Sequence, residues 1–244
     1  MKKVLVLFVM ALAINVSAQE SVLLRLNYTK GDVYLMDMKM SQDMGTVMSM
    51  DMGMKMSQEI MSVTGDTYVS NMKIQHISMD MSQGGMNVSY DSSKSDDELD
   101  ATAKMMKGQM APMLSATIIS KGNNLGDVLD IKVEPNIPNA NDFAKQSGNV
   151  VYPKHKIKVG DTWTATKNKK GMNLNFVYTV KSITSTQVLL GITGQISGSA
   201  EGEITGSMDV NKESGVPTNS KINMDMTIQG QEMVSIVTIK MTKQ

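Results

Sequence analysis

Methionine thioethers are the most unusual chemical groups of this chain. Its 244 residues include 26 methionines, two histidines and no cysteine. Between Met36 and Met56 every methionine occupies an even-numbered position, in the run M-D-M-K-M-S-Q-D-M-G-T-V-M-S-M-D-M-G-M-K-M. Thioethers are soft ligands that select Cu(I), and by the same chemistry Ag(I). One hypothesis is therefore a Cu(I)/Ag(I) site formed by Met54, Met56 and His76.

The same spacing is typical of a β-strand with one apolar face. Side chains alternate between the two faces of a strand, whereas a helix would distribute these thioethers around its whole circumference. Methionine is flexible and lines adaptable surfaces. We therefore expect this face to bind a hydrophobic or amphipathic ligand, with no cofactor. The residues predicted to line the site are Met36, Met38, Met48, Met50, Met52, Met54, Leu99, Met106, Met110 and Trp163.

Two further interpretations of the methionines remain open. They fill the core of a structural envelope protein that has no ligand, or they act as sacrificial groups for oxidation. Trp163 also has two interpretations, because a tryptophan just after a turn either anchors its strand or stacks on a ligand.

Sequence motifs of catalysis are absent. The chain has no Gly-x-Ser-x-Gly elbow and no His-Glu-x-x-His motif. Its Ser-x-x-Lys match, from Ser70 to Lys73, falls inside a predicted strand. The carboxylates of Asp96, Asp97 and Glu98 stand at a predicted helix start, where they act as capping groups and partners of the helix dipole. We expect a protein without enzymatic activity and name no catalytic residue.

Residues 1–18 have the features of a signal peptide. Lys2 and Lys3 precede an apolar run from Val4 to Ile14, and Val16-Ser17-Ala18 is a small-x-small cleavage site. We expect cleavage after Ala18, a periplasmic or secreted location, and a single β-rich domain over 19–244. Without a cysteine the cleavage site lacks an attachment point for a lipid anchor. No later stretch is apolar enough to cross a membrane.

Charge excludes one class of partner. The chain carries 24 basic and 24 acidic residues, so it has no excess of basic charge with which to bind nucleic acid. The sequence does not indicate an oligomeric state.

Turn signals divide the first half into long strands. Four Gly-Asp pairs each precede a β-forming residue, at Gly31, Gly65, Gly126 and Gly160. To keep the methionines on one face, the first hairpin needs an odd loop, and Asp43-Met44-Gly45 would pair Met40 with Met48, Met38 with Met50 and Met36 with Met52. After His76 the apolar residues change parity, which predicts a bulge at Gln75-His76.

One helix and a second set of strands complete the prediction. Ser95 to Glu98 form a capping box, and Leu99, Ala103, Met106 and Met110 form an apolar stripe that ends at Pro112. A hairpin over 113–133 and a connection over 134–153 follow, with a short helix near 141–146. Strands are predicted at 172–183, 187–196, 199–210, 218–228 and 231–241. The expected fold is mainly β, an antiparallel curved sheet or open barrel of long meandering strands, with one main helix covering the apolar face.

Three motifs resemble an uncharacterised exported β-rich family, a domain of unknown function, of Bacteroidota-type bacteria. They are Lys30-Gly-Asp-Val-Tyr34, Pro153-Lys-His-Lys-Ile-Lys-Val-Gly-Asp-Thr-Trp163 and Asp209-Val-Asn-Lys-Glu-Ser-Gly-Val-Pro217. Many members look like lipoproteins, and this chain differs from them in lacking the anchoring cysteine. The layout is also similar to that of periplasmic lipoprotein-carrier-like proteins, in which a curved sheet encloses hydrophobic cargo. That similarity implies a lipid or another hydrophobic ligand as partner.

Overall fold

An antiparallel sheet of twelve strands dominates the computed structural model, which describes residues 20–137, 150–169 and 171–244. The predicted signal peptide, the predicted helix near 141–146 and most of the 134–153 connection lie outside these residues. In the first half of the chain the elements are β1 (Ser21–Val22), β2 (Val33–Asp43), β3 (Met48–Thr64), β4 (Thr67–Gln83), β5 (Met86–Asp91), helix α1 (Ala101–Ser115), β6 (Thr117–Asn123) and β7 (Val128–Glu134).

The second half is a meander of strands. Its elements are β8 (Ile157–Lys158), β9 (Thr162–Lys169), β10 (Met172–Ile183), β11 (Gln187–Gly198), β12 (Glu201–Asn211), β13 (Pro217–Ile228) and β14 (Gln231–Lys243). The order across the sheet is β7-β6-β4-β3-β2-β14-β13-β12-β11-β10-β9, and β5 pairs with the far half of β4. The mainly-β prediction with a single main helix is confirmed, and the sheet is open at its two edges.

The sheet curves strongly, as two short hydrogen bonds demonstrate. Leu26 donates its N–H to Asn124 in the β6–β7 turn, and the next residue, Asn27, donates to Ser214 in the β12–β13 turn. Five strand spacings separate β6 from β13 in the sheet order, which would be about 24 Å if the sheet were flat. Consecutive residues lie only about 3.8 Å apart. The sheet must therefore wrap around the segment that joins the two turns.

The main core lies on the inner face, under two extended segments. Along the N-terminal segment alternate residues are buried, from Val22 to Tyr28, and residues 150–157 lie beside it. The Arg25 guanidinium joins the two segments, because it donates hydrogen bonds to the carbonyls of Pro153 and Lys154. Apolar side chains of β10, β11 and β12 complete this core, among them Val188, Leu190 and Val210.

Predicted turns agree well with the structure, and one register does not. The glycines of all four Gly-Asp pairs have positive φ, between 56° and 100°. Each lies two residues before the first residue of a strand. The first hairpin pairs Met40 with Met52 and Met38 with Met54, so the predicted register was wrong. The loop is Gly45 to Val47, two residues later than predicted, because the Asp43 carboxylate accepts the Gly45 N–H and positions that glycine as the first loop residue.

The helix also differs in detail from the prediction. The Ser95–Glu98 capping box belongs to a short 3-10 turn, and α1 begins after Asp100, whose carboxylate accepts the Ala103 N–H. Pro112 lies within α1 and does not end it. A proline ring displaces the carbonyl four residues earlier, which here belongs to Gly108, so the backbone is free to adjust. Among the described residues, no helix has the length and hydropathy needed to span a membrane.

Candidate functional site

One continuous surface of the sheet carries the methionines. We call it the thioether face and define it by the inward side chains of β2, β3 and β4, namely Met36, Met38, Met40, Met48, Met50, Met52, Met54, Met56, Met72, Ile74, Ile77, Met79 and Met81. Met36 lies directly opposite Met56, Met38 opposite Met54, and Met40 opposite Met52. The period-two prediction of a single thioether surface is therefore confirmed.

A β-bulge keeps the thioether face continuous across β4. Lys55 lies opposite His76, whereas the next residue, Met56, lies opposite Ile74, so Gln75 is the extra residue. The bulge reverses the parity of β4, which is why Ile77 and Met79 point to the same side as Ile74. The predicted bulge at this position is confirmed.

Helix α1 covers part of this face. Met106 and Met110, with Met113 and Leu114, pack on a cluster of five buried residues, which are Met54, Met56, Ile74, Ile77 and Tyr90. Leu99 is also buried, just before the helix begins. The sequence prediction that this helix packs on the methionines is thus realised in the structure.

Beyond the helix the thioethers are only partly buried. Met36, Met38 and Met52 contact the covered cluster but retain exposed surface. The face then continues on to β14, where Val237 lies opposite Met40 and Ile239 opposite Met38. A flexible apolar surface of this extent, open along one side of a covering helix, has the character of a binding surface for apolar groups.

The predicted site residues do not all meet in one place. Met36, Met38, Met52, Met54, Met106 and Met110 belong to the cluster beneath α1. Met48 and Met50 lie on the same face nearer the β2–β3 hairpin loop, opposite Gln83 and Met81. Trp163 packs on the other core, where its ring stacks on Tyr178 at 5.4 Å and its Nε1 donates a hydrogen bond to the Val151 carbonyl. Its observed role is to anchor the start of β9.

His76 is separated from the methionines of the hypothetical metal site. It shares the outer face with Lys55, whereas Met54 and Met56 point inward. Its Nε2 lies 2.8 Å from Oδ1 of Asp91. The Ser93 hydroxyl and N–H donate to the same carboxylate, and together with His76 they lower the pKa of Asp91 to about 2. This arrangement connects β5 to the turn before α1.

Sequence reasoning did not assign the buried Tyr90 to this site. It is 2 % exposed and lies in the cluster beneath α1, and its hydroxyl oxygen has no hydrogen-bond partner among the described residues. Burial raises the pKa of this hydroxyl. The short strand β5 offered a weak signal, because Tyr90 is its sole aromatic residue.

A cavity lined by both polar and apolar groups adjoins the thioether face at its other end. Its volume is about 850 Å³, and it lies where β13 and β14 separate beyond their last paired residues, Asn219 and Lys240. Tyr34 and Met241 line it from the inner face, and Met241 lies opposite Met36. The apolar surface therefore ends at a cavity of mixed polar and apolar lining.

A protein-family model matches the second part of the chain. It is described as a family of unknown function (DUF6263), and it matches residues 143–240. The match confirms that a domain of unknown function is present, and it includes two of the three motifs noted in the sequence. The thioether face and α1 precede the matched region. No curated protein sequence matches the chain.

The fold is similar to part of a solved structure described as "Lipid-protein interactions in lipovitellin". The TM-score is 0.56, the sequence identity is 9%, and the similarity covers 89% of this chain and 25% of that chain. This chain therefore corresponds to about a quarter of the length of the structure it matches. At this identity the similarity shows the shared fold alone.

Proposed function

We propose that this protein is an exported, non-enzymatic binder of a hydrophobic or amphipathic ligand in the cell envelope. The observation that carries the proposal is the partly buried row of Met36, Met38 and Met52 beside the helix-covered cluster. Unbranched thioether side chains adapt to apolar groups of different shapes without fixing one packing arrangement. The features of residues 1–18 support export.

The shared fold gives further support. The similar structure is described by its lipid–protein interactions, and a curved antiparallel sheet with an apolar inner face offers apolar contacts to a lipid chain. This support is an analogy of fold, so the thioether face has to be tested by itself.

Binding of a neutral fluorescent probe, N-phenyl-1-naphthylamine, tests the proposal. We expect saturable binding that falls at least tenfold when Met106 and Met110 are both replaced by aspartate, because two carboxylates at the covering helix oppose the burial of an apolar group. Met105→Asp is the matched control, since Met105 lies on the same helix but is 61 % exposed. Absence of saturable binding by the wild-type protein, or equal loss in the control, contradicts the proposal.

The Cu(I)/Ag(I) alternative predicts a different result. Under reducing conditions Cu(I) would bind with a Kd below micromolar and would require Met54 and Met56. His76 points to the opposite face, so His76→Phe would leave that affinity unchanged if the thioethers alone bound the metal. Tight Cu(I) binding together with no probe binding would replace our proposal with the metal site.

A further inference from the structure

The buried hydroxyl of Tyr90 needs a hydrogen-bond partner. Its oxygen is inaccessible to solvent, and the Tyr90 side chain packs among the thioethers and aliphatic side chains of the covered cluster. Buried hydroxyl groups in native proteins are nearly always hydrogen-bonded, to protein, water or ligand. The polar group of a bound ligand would supply such a partner.

Lys107 is the cation whose charge acts on this hydroxyl. Lys107 follows Met106 on α1, and its side chain is 40 % exposed, with Nζ 2.6 Å from Oδ1 of Asp96. Its charge acts on the Tyr90 hydroxyl and partly opposes the increase in pKa that burial causes. Tyr90 therefore remains protonated at neutral pH and presents a hydrogen-bond donor beside a positive charge.

We propose that the thioether face binds a single-chain amphiphile with an anionic headgroup, an oxygen of which accepts the Tyr90 hydrogen bond and faces Lys107. The alkyl chain lies along Met36, Met38 and Met52, where the thioethers are partly exposed. This inference rests on the proposed function and adds the chemical class of the ligand.

The charges around Tyr90 favour an anion over a neutral or cationic head. Two acidic groups lie nearby, and both already have partners. Asp91 accepts from Ser93 and contacts His76 on the outer side, and Asp96 is paired with Lys107. A ligand anion would compete with Asp96 for Lys107, and the Asp96 side chain is 71 % exposed and therefore weakly held.

Carboxylates and phosphates both offer an anionic oxygen that accepts a hydrogen bond. Competition against the neutral probe distinguishes between these two headgroups. The competitors are palmitate, 1-palmitoyl lysophosphatidic acid and two uncharged analogues of equal chain length, hexadecanol and methyl palmitate. We expect the anions to displace the probe at concentrations about tenfold lower than those needed with the uncharged analogues. The reason is that only the anions can form a charge-assisted hydrogen bond. The anion that displaces the probe at the lower concentration shows whether the headgroup is a carboxylate or a phosphate.

Four variants locate the effect. Tyr90→Phe and Lys107→Gln should each remove most of the preference for anions, and Asp96→Asn should increase it because Lys107 loses its competing partner. Lys167→Gln is the control, since Lys167 is an inward-facing lysine on β9, far along the sheet order from β5. Tyr90→Phe should leave the Tm unchanged or raise it, because it removes an unsatisfied buried group.

The outcomes distinguish the two proposals. If the probe binds but palmitate and hexadecanol displace it equally, the anionic headgroup is excluded and the proposed apolar binding remains. If the preference survives Lys107→Gln and is lost with Lys167→Gln, the headgroup binds elsewhere and this inference is wrong. A fall in Tm for Tyr90→Phe also contradicts it, since the hydroxyl would then have a structural partner. If no probe binds to the wild type, the proposed function itself fails.

Discussion

Tyr152 donates a hydrogen bond of 2.8 Å from its hydroxyl to the carbonyl of Gly215. The backbone N–H of the same tyrosine bonds to the Leu125 carbonyl at 2.8 Å. Leu125 lies in the β6–β7 turn and Gly215 in the β12–β13 turn, so one residue holds together turns from opposite halves of the sheet. Leu26 and Asn27 join the same two turns through their own backbone hydrogen bonds. Together these contacts keep the sheet curved around its core.

Tyr152→Phe should weaken this connection without removing the ring from the core. The Gly215 carbonyl would lose its partner, and Tyr152 is only 2 % exposed, so we expect a loss of about 1–3 kcal/mol in the free energy of unfolding. Urea unfolding measures it. A variant as stable as the wild type would show that the hydrogen bond does not contribute to closing the sheet.

Gly215→Ala should be more damaging than an equivalent change at Gly230. Both glycines have positive φ, 64° and 81°, but a Cβ at Gly215 would lie 1.9 Å from the Arg25 carbonyl oxygen, whereas one at Gly230 would meet no atom within 4 Å. The change at Gly230 should cost about 1 kcal/mol from backbone strain, and that at Gly215 about 3 kcal/mol or more. Equal losses in thermal unfolding would contradict the close approach of the N-terminal segment.

Asp91→Asn should produce a loss of stability that depends on pH. The Ser93 hydrogen bonds and His76 hold the pKa of Asp91 at about 2, below the usual 3.8. The wild-type carboxylate therefore stabilises the fold above about pH 4, and this contribution disappears as the pH falls towards 2. Unfolding curves of the two proteins should differ most near neutral pH and converge near pH 2. Ser93→Ala should reproduce part of the effect, and a difference that does not change with pH would disprove the mechanism.

Trp163→Phe should reduce stability and leave ligand binding unchanged. The phenyl ring retains the stacking on Tyr178, but the hydrogen bond to the Val151 carbonyl is lost, at a cost of about 1–2 kcal/mol. Because Trp163 packs in the main core and not in the cluster beneath α1, affinity for N-phenyl-1-naphthylamine should not change. Weaker probe binding with unaltered stability would contradict this and would support the interpretation that Trp163 contacts the ligand.

Some of these relationships were accessible from sequence and others were not. The change of parity after His76 predicted the bulge correctly, because alternation is a local property of the strand. The first hairpin was wrongly paired for a related reason. A shift of the loop by two residues preserves the parity of every methionine, so alternation alone cannot distinguish Met40–Met48 from Met40–Met52.

By itself, the sequence determined the long strands, the Gly-Asp turns, the presence of a covering helix and the single thioether face, since each depends on neighbours a few residues apart. Tertiary structure alone decided that Tyr90 is buried without a partner among the described residues, that His76 faces away from Met54, and that Tyr152 joins the two halves of the sheet. These facts depend on residues brought together by sheet curvature and helix docking. Long-range contacts of this kind depend on the energy of the whole fold, and no local pattern of side chains encodes them.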